Sequence, residues 1–254
     1  EAIINKIFDQ SLPQGLSGAL SASLTVIIES LKRHENTTQD HLPLLRISAS
    51  HIKRLATLLE AKPNDNPMMT ESSVGKYEAV TFERLKVVEF FAALFAVNSN
   101  QITTELMLCS VLASMINLFF SHPWNNFLHA IVSHLIQQIM EGENEQLKLH
   151  VLSDSGLLFM IIQASIENQQ ACSKDKGIRQ GYMGYITLIS KCILKSAEKS
   201  QAISKILHEY HGWKEYVRNI LNPTTDKDST DVGGFVASGI SLSLTSVGTT
   251  NNVI

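Results

Sequence analysis

Apolar residues at Phe127, Leu128, Ile131, Val132, Leu135, Ile136, Ile139 and Met140 fall at i, i+1, i+4 and i+5 through four repeats. On a helix of 3.6 residues per turn this spacing draws one continuous stripe. Ser133, Gln137 and Glu141 lie opposite it, Pro123 suits a first helical position, and Gly142 suits a left-handed end. The pattern therefore predicts a helix over 123–141 with one wet face. The same period predicts helices over Leu16–Leu31, Ile47–Leu59, Phe82–Val97, Ile102–Phe120, Leu157–Ile166, Tyr182–Ala197, Ile203–Tyr210 and Trp213–Leu221. Phe82–Val97 and Leu157–Ile162 are apolar nearly all round, so both should be sandwiched between neighbours. No strand pattern competes with these helices, and only Val236–Val247, near the end, alternates.

Most connections are short, which makes successive helices antiparallel neighbours. Residues 62–80, with Pro63, Pro67 and several Asn, Asp and Ser, read as a long mobile loop or an internal linker; residues 170–180 form a shorter charged connection. Helix pairs start near 82, 123, 155 and 182, too irregularly for a fixed repeat. The predicted fold is all-α: an irregular α-solenoid of antiparallel helix pairs, HEAT- or armadillo-like, over residues 1–222. After Asn222 the composition changes. Ser, Thr, Gly and Asn supply 17 of the last 32 residues, so 223–254 is expected to be a polar, disordered tail.

With 44% apolar and 18% charged residues, the 254-residue chain can bury a full core. Its formal charge of −3 offers no electrostatic footprint for a polyanion, and nucleic acid is not expected as a partner. Cys109, Cys172 and Cys192 are odd in number and widely spaced in apolar surroundings. They read as buried free thiols of a reducing compartment, cytoplasmic or nuclear. The longest nearly apolar run, Val87–Val97, is shorter than the ~20 residues a membrane helix needs, so no membrane insertion is expected. The opening segment EAIINKIFDQ has neither a basic stretch nor a small-residue cleavage site, as expected of a fragment of a longer chain.

Phosphate-loop and dinucleotide glycine motifs are absent, as is G-x-S-x-G. His129 and His134 are five apart without the intervening Glu of a zinc protease helix, and read as exposed or capping residues. No catalytic residue, metal site or cofactor is predicted. Two segments do stand out. His122-Pro123-Trp124-Asn125-Asn126-Phe127-Leu128-His129 puts an indole and two amides at a helix start, either as a cap with a core aromatic or as a ridge offered to a partner. Gly177–Gly184, around Arg179 and Tyr182, serves either tight helix packing or partner docking; helix-start N–H groups beside Arg179 could also hold an anion.

Phe119-Phe120, then Trp124-Asn125-Asn126-Phe127-Leu128-His129, then Arg179-Gln180-Gly181-Tyr182-Met183-Gly184 with Thr187 and Ile189, resemble the SAPS family in order and spacing. Looser likeness extends the resemblance to about residues 16–232, the C-terminal part of that domain. Tyr185 and Leu188 stand where the family usually has His and Arg, and the flanks of Arg179 are less basic. The resemblance implies a non-catalytic helical scaffold that binds the catalytic subunit of a phosphatase 2A-like serine/threonine enzyme, protein phosphatase 6, and directs it to substrates. It also implies ankyrin-repeat partners. The residues expected to meet a partner are Trp124, Asn125, Asn126, His129, Arg179, Tyr182 and Met183. An adaptor for trafficking or cytoskeletal proteins, without a phosphatase, is the alternative, and an enzyme with convergent polar residues a third.

Overall fold

The computed structural model describes residues 18–33, 43–60, 69–72, 75–97, 99–175 and 177–229. Twelve α-helices occur among them: α1 Gly18–Arg33, α2 Pro43–Glu60, α3 Phe82–Ala96, α4 Asn100–Leu108, α5 Val111–Ser121, α6 Asn126–Glu141, α7 Glu145–Ser153, α8 Leu157–Cys172, α9 Met183–Ala197, α10 Gln201–Glu209, α11 Trp213–Tyr216 and α12 Asn222–Ser229. A π-helical turn, Val217–Leu221, joins the last two. The described residues are all-α apart from one hairpin, β1 Met69–Ser72 against β2 Gly75–Glu78, in the stretch expected to be a loop. Strands built from Glu71, Ser72, Lys76 and Glu78 leave no apolar alternation to read.

Helix packing follows two rows. In one, α1 packs on α3, α3 on α6 and α6 on α9; in the other, α2 packs on α5, α5 on α8 and α8 on α11. Phe90, Phe91, Leu94, Leu106 and Phe119 are fully buried in the core between them. Truncating any one of those rings to Ala would cost about 3–5 kcal/mol. Thr81 caps α3 by accepting from the Arg84 N–H at 3.3 Å, and the Arg84 guanidinium donates to the Leu59 carbonyl at 2.6 Å, tying α3 to the last turn of α2.

Several expectations are corrected. The predicted helix 102–120 is two helices bent by 60°, broken at Cys109-Ser110, where Ser110 takes a left-handed φ of +52°. The bend lets α4 pack on α2 and α3 while α5 turns to reach α6 and α8. Helix α7 was not predicted, because Leu147, Leu149 and Val151 alternate before Leu152 breaks the alternation; Asn144 caps it at 3.0 Å from the Leu147 nitrogen. Helix α6 starts at Asn126 rather than Pro123, and Gly142 ends it in an extended conformation, not a left-handed one. Its Ser133 is buried, whereas Phe127 of the apolar stripe is exposed. Phe159 likewise leaves the sandwich expected of Leu157–Ile162.

Helical backbone also runs past residue 222, to Ser229. Pro223 would collide with the carbonyl four residues earlier in a regular helix; the preceding turn widens to a π-bond from the Asn222 N–H to the Val217 carbonyl. The remainder of the expected tail, including Val236–Val247, lies outside the described residues. Of the thiols, Cys192 is buried, Cys109 half-buried and Cys172 exposed, so the expectation of three buried cysteines holds for one. Among the described residues no single helix is long and apolar enough to cross a membrane, and no cluster of His, Cys, Asp or Glu could hold a metal ion.

Candidate functional site

The two sequence segments, some fifty residues apart, meet where the α5–α6 turn faces the start of α9. Gly181 sits so close to that turn that a Cβ there would stand 2.5 Å from the Pro123 carbonyl oxygen and 3.3 Å from Cε3 of Trp124. Only glycine allows this approach. Next along the chain, Tyr182 inserts its ring among Phe119, Phe120 and His129, with centroids 5.9, 5.4 and 5.8 Å away. Tyr185 reaches across to the Asn126 carbonyl at 3.5 Å and lies 5.6 Å from the His129 ring.

His129 is the centre of this cluster and has no exposed surface. This corrects its reading as an exposed or capping residue. Its Nε2 lies 3.1 Å from the Phe119 carbonyl, so the neutral ring carries its proton there and donates. Nδ1 is buried and makes no hydrogen bond of normal geometry among the described residues, and burial holds the ring's pKa below the ordinary histidine value against the raising pull of the Phe119 and His122 backbone. Burial likewise pushes the Tyr182 phenol upward. Neither group is placed for acid–base chemistry on an external molecule, since both are packed inside.

The seven predicted residues thus fall into separate places. His129, Tyr182 and Met183 are buried and hold the junction together. Asn125 caps α6, accepting from the Leu128 N–H at 3.0 Å. Asn126 is exposed at the helix start and Trp124 half-buried. Arg179 is exposed in the connection before α9, facing a different cavity from Trp124.

On the outer side of the junction a notch of about 280 Å³ lies between β2 and the α5–α6 turn. Tyr77 and Glu78 form one wall, Trp124, Asn126 and Phe127 the other, and His122 stands between, with its Nε2 3.9 Å from a Glu78 carboxylate oxygen. Phe127 is 75% exposed, although the period assigned it to the core stripe. Sequence reasoning also missed Tyr77 and Glu78, which a polar hairpin brings to the site. A larger groove of about 570 Å³, between α1, α3 and α6, is floored by Ala92, Ala93 and Ala96 and does not include the signature residues.

The SAPS family, described as SIT4 phosphatase-associated protein, matches residues 2–108 and 100–230. SIT4-associating protein SAP190 of Saccharomyces cerevisiae is 35% identical over 142 residues, covering 49% of this chain and 13% of that protein. Serine/threonine-protein phosphatase 6 regulatory subunit 3-A of Xenopus laevis is 23% identical over 273 residues, covering 91% of this chain and 31% of that protein. Extragenic suppressor of kinetochore protein 1 of Schizosaccharomyces pombe is 26% identical over 140 residues, covering 51% and 17%. The chain therefore spans under a third of the length of these relatives. No solved structure matches. With the family match running along nearly all of the described helices, this chain belongs to the SAPS, or SIT4 phosphatase-associated protein, family.

Proposed function

We propose that this chain is part of a non-catalytic regulatory subunit that binds a phosphatase 2A-like serine/threonine phosphatase catalytic subunit and directs it to substrates. The observation that carries the reading is the family match over residues 2–230, together with relatives named as phosphatase 6 regulatory subunits. In this reading the two helix rows are an irregular α-solenoid, a stiff support that holds enzyme and substrate together and raises their effective concentration. Ankyrin-repeat adaptors form the second partner class.

Catalytic-subunit docking is assigned to the notch, with Trp124, Asn126 and Phe127 as direct contacts. Aromatic side chains flanking a recess, here the exposed Phe127 and the half-buried Trp124, are residue types enriched at protein interfaces. Asn125, His129, Tyr182 and Met183 act by holding that edge in place. The test is affinity purification of the tagged protein from cells. Wild type should recover the phosphatase catalytic subunit, and Trp124→Ala with Phe127→Ala should lose about tenfold or more of it while circular dichroism stays unchanged. Full recovery by the folded double variant would refute the docking assignment. Enrichment of trafficking or cytoskeletal proteins without any phosphatase catalytic subunit would refute the function and favour an adaptor.

A further inference from the structure

On the other side of the Gly181 turn, a second cavity of about 340 Å³ opens between α8, the first turns of α9 and the π-helical turn. Its charged lining among the described residues consists of Arg179 and Lys227, with no carboxylate. Its amides are committed in one direction. Asn168, only 8% exposed, accepts the Gln180 N–H on Oδ1 at 2.8 Å, so its NH₂ donates to no protein group among the described residues. Asn219 uses its Oδ1 for the Arg218 Nε at 3.3 Å, leaving its NH₂ as the unused end. Arg179 makes no ion pair among the described residues. Donors from three elements thus converge on one recess.

A recess lined by the Arg179 guanidinium and spare amide N–H groups favours an anion with several oxygens. A phosphate monoester carries about −1.5 to −2 charge and three terminal oxygens, enough acceptors for a forked guanidinium and two amide donors together, where a carboxylate offers only two oxygens. Met183, Ile186 and Ile220 lie along the same cavity, an apolar strip beside the donors that suits aliphatic side chains flanking the phosphate. The wall carrying Asn219 and Ile220 is the π-turn, a departure from regular helix that recurs at functional sites. We propose that this cavity binds a phosphorylated serine or threonine in an extended segment of a protein partner. Arg179 grips the phosphate oxygens, Asn168 donates from the floor, and Asn219 donates from the π-turn wall. The site is separate from the notch, so it goes beyond the catalytic-subunit reading and does not depend on it.

The experiment uses the purified chain and immobilised nonapeptide pools with a central phosphoserine or phosphothreonine and degenerate flanks, against the same pools treated to remove phosphate. Retention should favour the phosphorylated pools by about tenfold or more. Two variants should abolish that preference. Arg179→Gln removes an exposed charge. Asn168→Asp keeps an acceptor for the Gln180 N–H while placing a carboxylate in the cavity. Their folding is checked by thermal melts. Equal retention of both pools, or an unchanged preference in folded variants, overturns the proposal. So does binding confined to inorganic phosphate, or to phosphatidylinositol phosphate vesicles in sedimentation, with no peptide retention. Failure of the wild-type chain to retain any phosphorylated pool, alongside intact recovery of the phosphatase, would sink this proposal alone.

Discussion

Replacing Gly181 with alanine would press a methyl group against backbone. The added Cβ would lie 2.5 Å from the Pro123 carbonyl oxygen, and ordinary contact begins near 3.4 Å, so the α5–α6 turn and the start of α9 must part by roughly 0.9 Å. The opposing atom is a carbonyl in a short turn, and the next nearest is a ring carbon of Trp124, so no flexible side-chain end can move aside. Overpacking of this kind costs about 1–3 kcal/mol. For a domain of this size that corresponds to a fall in Tm of about 2–12 °C. Gly184, three residues on, provides the internal control, since a Cβ there meets nothing within 4 Å inside a helix. Gly184→Ala should leave stability unchanged or raise it by up to about 1 kcal/mol, because alanine loses less backbone entropy. Thermal and urea unfolding of both variants measure the contrast. If Gly181→Ala melts with wild type, the two signature segments are not in the contact described.

Acid should weaken the fold through His129. Its folded pKa lies below the unfolded value of about 6.5, so the contribution is complete above that pH and is lost as pH falls from 6.5 toward the folded pKa, by up to about 1.4 kcal/mol per unit. Urea melts between pH 7.5 and 5.5 should show this slope, and His129→Gln should flatten it. Tyr216→Phe removes a 2.9 Å hydrogen bond to the buried Ser190 hydroxyl and should cost about 1–2 kcal/mol in the same melts. With a chromogenic disulfide reagent, Cys172 should react at once in the native protein. Cys192, buried and with its pKa raised by burial, should react only on unfolding, and Cys109 between the two. Three equally fast thiols would contradict the burial of Cys192.

The period alone locates α1, α2, α3, α6, α8, α9 and α10 because each buries a stripe or a full surround that repeats every 3.6 residues. It runs straight through Cys109-Ser110, since apolar spacing continues across the break and only packing against two different neighbours bends the backbone there. It passes over α7 because nine residues with alternating leucines and valine fit two periods equally. In the site, the indole, amides and glycines were visible as unusual composition, and their roles were not. A stripe position does not say whether a helix has a neighbour on that side, which is why Phe127 faces solvent and Ser133 does not.

By itself the sequence determined that this protein is helical, that it lacks the common catalytic motifs, and that two ordered segments carry a family signature. Those properties follow from local spacing and residue type. Only the tertiary structure decided that the segments touch, with Gly181 as the permitted point of approach and His129 as a neutral buried anchor. It also decided that Arg179, Asn168 and Asn219 share one cavity and Trp124, Phe127 and Tyr77 another. Such groupings depend on distances between residues far apart in the chain, and a pattern read along the chain contains no measure of them.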